Sequence, residues 1–252
     1  MPGLPRVNKV AYTIAERVAF WDLALECVRR TLRVNGMCEV STPCRMSAAA
    51  IEPFIEPIAA GGKWLMTSPE LPMKRLVSLG AGAIFQVAHV FRGGEHGPRH
   101  REEFHLIEWY RPQSSLATIM SDVERLVAEV GQALAAVAPC DRALPQRWRR
   151  EGFLDLYRHL RGRSLRGDES AGELQSELTE LRTQLGISSQ AVPFVHPSGG
   201  RTRSEESEQL GAWTELFTLW SELELDSWLR EIPRSQGLHV VDFPGPLAAL
   251  SG

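Results

Sequence analysis

Apolar positions along the first third of the chain recur at three- and four-residue intervals. Ile14, Val18, Trp21, Leu25, Val28 and Leu32 fall on one helical stripe. Thr13 and Glu16 stand at capping-box spacing and Asn35-Gly36 closes the run, so the pattern predicts one long amphipathic helix with a defined start and stop. Met37 to Val40 then reads as a short strand ended by Ser41-Thr42-Pro43, because proline has no N–H to give a ladder. Lys63 to Thr67 reads as another strand, running straight into Ser68-Pro69-Glu70. There Ser68 suits a cap, Pro69 the first helical position and Glu70 the first turn of a helix ending near Gly80.

The pattern changes period at Ile84. Ile84 to Arg92 and Glu103 to Arg111 are aromatic and β-branched runs separated by Gly93 to Glu102, which holds Gly93, Gly94, Gly97 and Pro98. This predicts a hairpin with a long, mobile loop. From Ser115 the helical period returns at Leu116, Ile119, Val123, Leu126, Val130, Leu134 and Val137, ending at Pro139, and that face reads as packing. Leu174, Leu178, Leu181 and Leu185 predict a short amphipathic helix closed by Gly186. His196 to Glu208, rich in Ser, Gly, Arg and Glu, reads as a flexible loop, Trp213 to Trp228 as helical and Leu238 to Phe243 as a terminal strand. No internal repeat is found.

Composition narrows this little. With 252 residues, 43% of them hydrophobic and 23% charged, the chain can bury a substantial core in one domain, or in one domain with a helical insertion. A formal net charge of -3 offers no global attraction to a polyanion, which counts against a tRNA binder. Cys27, Cys38, Cys44 and Cys140 lack CxxC spacing and follow no signal-peptide pattern, so they read as reduced thiols of a cytoplasmic protein. No apolar run reaches the roughly 18 residues of a membrane-spanning helix.

Period-two alternation puts Phe104, Leu106, Glu108 and Tyr110 on one strand face. An acid, a phenol and an aromatic ring there suggest a polar pocket with an aromatic wall, although an ordinary half-buried strand is the alternative. Between the strands lie Arg92, His96, Arg99, His100 and Arg101, donors that could clamp a polyphosphate or simply be a solvated basic loop. His96, His100 and His105 do not match a usual metal-ligand spacing. Glu70 at a helix start has an ordinary reading too, as a carboxylate favoured by the helix dipole.

The stretch from Phe91-Arg92-Gly93-Gly94-Glu95-His96 to Glu103-Phe104-His105-Leu106-Ile107-Glu108-Trp109-Tyr110-Arg111-Pro112 resembles motif 2 of class II aminoacyl-tRNA synthetases. Its form is that of the lysyl type, closest to the paralogues that attach β-lysine to elongation factor P. Met66-Thr67-Ser68-Pro69-Glu70 resembles the TSPE helix start of that family, and Gly36 to Pro43 resembles motif 1, whose proline lies at a dimer interface. The three blocks keep the family's order over about Val18 to Pro112. A fainter likeness returns at Leu216-Phe217-Thr218 and from Val240 to Leu250.

The resemblance implies an α+β fold, a largely antiparallel sheet flanked by helices and incomplete at the C-terminus. It would form a single catalytic domain over 1–252 with a divergent helical and loop insertion at about 141–235. It implies ATP-dependent activation of lysine or a lysine analogue as the adenylate, with Mg2+, and transfer to a protein acceptor of the elongation factor P type or, less favoured, to tRNA. By resemblance, Arg92 would bridge the amino-acid carboxylate and the α-phosphate, His100 would reach the terminal phosphates and Phe104 would stack on adenine. Glu70, beside Ser68, would hold the α-amino group, and Glu108 with Tyr110 would receive the side-chain ammonium. A homodimer through the first helix and Pro43 is also implied.

This sequence departs from the family at Gly94, where a glutamate on the adenine side is expected; Glu95 lies one step further and is taken in its place as a nucleotide-binding residue. The acidic strand that holds magnesium and the motif 3 arginine are expected beyond Gly252, and no Gly-rich Asp-Arg or Glu-Arg pattern replaces them in the final hundred residues. The dozen residues before the first helix leave no room for an anticodon-binding domain, which favours the protein-modifying paralogue. The competing expectation is a pseudoenzyme that binds an amino acid, a nucleotide or a partner chain without completing the adenylate.

Overall fold

The structure is a computed structural model that describes residues 12–48, 55–97, 100–137, 144–187, 205–233 and 235–248. Helix α1 spans Ile14–Val34, and its start is the capping box that the sequence predicts: the Thr13 hydroxyl accepts from the Glu16 N–H while the Glu16 carboxylate takes the Thr13 N–H at 2.7 Å. Strand β1 (Cys38–Glu39) runs parallel to β5 (Ile84–Phe91), and β5 pairs antiparallel with β6 (Glu103–Tyr110) from Ile84↔Tyr110 to Phe91↔Glu103. A second sheet has the antiparallel order β2 (Arg45–Met46), β4 (Lys63–Leu65), β3 (Ala59–Ala60). The fold is thus α+β with antiparallel pairing at its centre.

Helix α2 covers Glu70–Ser78 and α3 covers Leu116–Val137. The expected Ser68 cap is corrected in detail. Pro69 occupies the capping position and Ser68 Oγ accepts only from the Glu70 N–H, at 3.1 Å. Helices α1 and α3 cover one face of the hairpin, burying Val28, Leu32, Met37 and Phe85 against Leu126, Val130, Ile107 and Trp109. On the other face Met66, Ala88 and Val90 pack with Met46, Phe104 and Leu106. Arg111 ties the end of β6 to both helices: it donates to both oxygens of the buried Asp122 on α3 and to the Asn35 carbonyl that follows α1.

The later part of the chain is more regular than its pattern predicts. Strand β7 (Arg147–Gly152) pairs in parallel with β8 (Gln236–Val241), and α4 (Phe153–Arg161) follows β7 directly. Helix α5 (Ala171–Leu185) ends at Gly186, φ +70°, as the leucine pattern predicts. Helix α6 (Glu205–Trp220) passes through a π turn at Ser221–Leu225 into α7 (Asp226–Glu231), and α8 (Gly245–Ala248) comes last. The expected loop is therefore corrected at Glu205–Glu208, which form the acidic first turn of α6, where carboxylates suit the helix dipole. The rest of that expectation, residues 196–204, lies outside the described residues, as does Pro139. Phe153, Tyr157, Leu174, Leu178, Leu181, Trp213, Leu216 and Trp220 form this part's own core, distinct from the two around the hairpin.

Candidate functional site

The hairpin and the residues leading into α2 place the sequence-predicted side chains. Alternation along β6 holds as predicted. Register sets Val90, Ala88 and Gln86 opposite Phe104, Leu106 and Glu108, and the apolar members of that face share one core with Met66. Glu108 is the polar centre. Its Oε2 accepts from the Ser68 hydroxyl at 2.9 Å and its Oε1 from the Tyr110 hydroxyl at 2.5 Å. Burial first, and then the hydrogen bond to Glu108 and the negative charges of Glu108 and Glu70, push the Tyr110 phenol above its ordinary value. Tyr110 therefore stays protonated and donates. Glu70, one residue into α2, pairs with Lys74 at 2.9 Å.

A second group sits at the other end of the hairpin. The Arg92 guanidinium lies 5.2 Å from the centroid of the Phe104 ring, its Nε donates to the Thr67 carbonyl at 3.2 Å, and its Nη1 stands 3.7 Å from Glu95 Oε1. The backbone locks this position, with Phe91 N–H bonding the Met66 carbonyl at 2.8 Å and Arg92 N–H the Glu102 carbonyl at 2.8 Å. An arginine beside an aromatic face can receive both an anion and a planar base.

His100 is not brought into either group. It is exposed on the loop, where its carbonyl accepts from the Gly97 N–H. The glycine at 94 has a local cause: its φ is +73°, a conformation that costs any side chain, and its N–H bonds the Glu102 carboxylate at 3.0 Å. Gly93 meanwhile packs against Glu56, where an added Cβ would meet the Glu56 carbonyl oxygen at 3.3 Å. Sequence reasoning gave no part to Thr67, Glu56, Thr42 or Gln86. The TSPE likeness could have drawn attention to Thr67, whereas nothing in the linear pattern joins Thr42 to Gln86, whose side chains bond at 2.9 Å.

Among the described residues no group of three or more His, Cys, Asp or Glu stands together as a metal site, and no helix is long and apolar enough to cross a membrane. A groove of about 470 Å3 lies away from this site, along α1, between Asp22, Glu26, Arg29, Arg30, Arg33 and Val34.

A family model described as tRNA synthetases class II (D, K and N) matches residues 11–250. The elongation factor P (R)-β-lysine ligase of Mannheimia succiniciproducens is 40% identical over 126 residues, covering 46% of this chain and 37% of that protein. Its counterpart from Actinobacillus succinogenes is 41% identical over 127 residues, again 46% and 37% of the two chains, and that from Pasteurella multocida 39% over 113, or 41% and 35%. The matches thus span little more than a third of these relatives' length.

Proposed function

On the family match over residues 11–250 this chain belongs to the class II tRNA synthetases (D, K and N), and from that premise we propose that it activates a lysine-like amino acid with ATP and passes it to a protein acceptor of the elongation factor P type. One observation carries the substrate side. Glu108 is a carboxylate whose position is set by two hydroxyl donors, Ser68 and Tyr110, and the charge of Glu70 at the start of α2 reaches the same Tyr110. A half-buried carboxylate positioned by neutral donors presents an acceptor to an incoming ammonium, and an ammonium leaving water needs such a partner. The relatives' names, elongation factor P (R)-β-lysine ligase, agree with a diamino acid and a protein acceptor. A net charge of -3 leaves tRNA the less favoured acceptor.

In the proposed step the amino-acid carboxylate attacks the α-phosphate of ATP in line, an acyl–phosphate bond forms and pyrophosphate departs. The protein's task is then orientation and charge neutralisation rather than nucleophilic attack. Arg92 would neutralise charge between carboxylate and α-phosphate, Phe104 beside it would carry the base and Glu95 would border the nucleotide. Glu70 would take the α-amino group by giving up Lys74. Magnesium is used generally in this family, but the described residues offer it no acidic cluster, and no step here is routed through it. We read 1–252 as one catalytic domain interrupted at about 141–235, in the cytoplasm, and dimeric through α1, which exposes Ile14, Val18 and Trp21.

The test is ATP–pyrophosphate exchange with lysine and with β-lysine, beside calorimetric titration of each ligand. Exchange dependent on one of them, lost in Arg92→Ala and shifted to a roughly hundredfold higher KM in Glu108→Gln, is the expected outcome. Binding of both ligands without exchange would make the chain a pseudoenzyme of this family. Absence of any lysine or β-lysine binding would refute the substrate assignment.

A further inference from the structure

Glu56, just before β3, touches the hairpin where β5 runs into its loop. It forms an isolated antiparallel bridge with Gly93, and the Gly93 N–H donates to the Glu56 carbonyl at 2.7 Å. Successive N–H groups of an extended chain point to opposite sides. The Arg92 N–H goes to the Glu102 carbonyl, on the side of β6, so Glu56 lies on the other side. The Glu56 side chain then runs along both glycines. A Cβ added at Gly93 would meet its Cγ at 3.3 Å and its carboxyl carbon at 3.4 Å, and one at Gly94 would meet its Oε2 at 3.4 Å. The carboxylate thus borders the place where a side chain at position 94 would begin. Two other carboxylates nearby are engaged: Glu95 faces Arg92 at 3.7 Å, and Glu102 accepts from the Gly94 N–H at 3.0 Å with His96 at 3.5 Å. Glu56 is exposed, and its carboxylate has no hydrogen bond or ion pair to another described residue. A carboxylate accepts hydrogen bonds and repels phosphate, so a ligand that meets it must bring an N–H or O–H.

We propose that Glu56 is a specificity-determining residue of the nucleotide site, accepting a hydrogen bond from the exocyclic amino group of the purine base. This rests on the reading of Arg92 and Phe104 as nucleotide-binding residues. Charge divides the site between its two ends. The Arg92 guanidinium attracts phosphate and carboxylate, whereas Glu56 repels them and suits the opposite end of the nucleotide, the base. An aromatic ring such as Phe104 stacks on any purine alike, because every base has a π face, so it does not tell one from another. An acceptor at the base edge does: an amino group donates to it, and a base without one leaves it unpaired. Gly93 and Gly94 are part of the device, since a side chain at either would crowd Glu56.

The test is calorimetric titration of the full chain with ATP and with purine riboside triphosphate, which differs only in lacking the amino group. Wild type is expected to prefer ATP roughly tenfold, and Glu56→Ala to bring the two within about twofold by weakening ATP alone. Glu56→Gln keeps a carbonyl acceptor and should retain part of the preference. The backbone bridge to Gly93 does not depend on the Glu56 side chain, so both variants keep it. If Glu56 were only a charge on the rim, removing it would strengthen both nucleotides together and leave their ratio as it was. That result overturns the proposal while the ATP reading stands. A ratio that collapses in Glu95→Ala and survives in Glu56→Ala gives the role to Glu95 and overturns it as well. GTP bound more tightly than ATP, with the preference lost in Glu56→Ala, supports Glu56 as the reader of the amino group and places the failure in the choice of ATP. Binding of no nucleotide by wild type overturns the nucleotide reading and the proposal with it.

Discussion

The Arg111–Asp122 pair fixes the end of the site-bearing strand, and Asp122→Ala is the perturbation that measures it. The two side chains are 18% and 7% exposed, joined by bonds of 2.5 and 3.0 Å in a fork, with a further bond of 3.0 Å from Arg111 to the Asn35 carbonyl. Removing one partner of a buried pair costs about 3–5 kcal/mol, chiefly because the other charge stays behind without its counter-ion. Arg111 keeps some contact with water and its bond to Asn35, so the lower end, about 3 kcal/mol, is expected. For a chain of this size that corresponds to a fall in Tm of roughly 6–12 °C. The assay is urea unfolding of wild type, Asp122→Ala, Arg111→Ala and the double variant, read as a cycle with a coupling of about 2 kcal/mol. A coupling below about 0.5 kcal/mol, or a single-variant cost below about 1 kcal/mol, would show that the fork does not hold the hairpin and would refute the reasoning. Because Tyr110 precedes Arg111, Asp122→Ala should also weaken lysine binding without touching the pocket.

Further expectations concern the later part of the chain. Burial pushes the Glu177 carboxyl up, but bonds from Arg161, Tyr157 and Arg163 outweigh it and hold the group below its ordinary 4.5. A lowered folded-state value means that the stabilisation is complete above about pH 4.5 and is lost as pH falls below it, so Glu177→Gln should flatten the acid limb of a stability–pH curve. A limb unchanged in that variant would refute the role. Gly237→Ala would put a methyl carbon 2.3 Å from a Trp148 ring carbon, so the ring must move, the β7–β8 pair should lose about 1–3 kcal/mol, and Trp148 fluorescence should change; near-neutral stability would contradict this packing.

Local rules made much of the first half legible. Thr13 and Glu16 are close enough in sequence to announce α1, and alternation announces the Glu108 face, because capping and pleating are set by neighbours. Strand β7 has little strand signal of its own for a physical reason: apart from Trp148, the run Arg147, Arg149, Arg150 and Glu151 lacks the β-branched and aromatic residues that favour strands, and the strand exists because β8 pairs with it and Trp148 stacks on His239. Helix α4 is barely legible although Phe153, Leu156, Tyr157 and Leu160 keep helical spacing, since nine residues give a short signal. At the site, Glu108 and Tyr110 were readable two residues apart. Ser68 reads as a helix cap, yet its hydroxyl donates to Glu108, and Thr42 and Gln86, 44 positions apart, meet only through the fold.

Among the described residues β6 is paired on one side alone. An edge without a strand partner is in general a template on which a second molecule can add a strand and seed aggregation. Glu103 is the exposed acidic charge on that strand, and such charges act as gatekeepers against stacking. Replacing Glu103 therefore bears on solution behaviour rather than ligand affinity: a Glu103→Gln preparation should lose solubility on concentration, and unchanged solubility would contradict this.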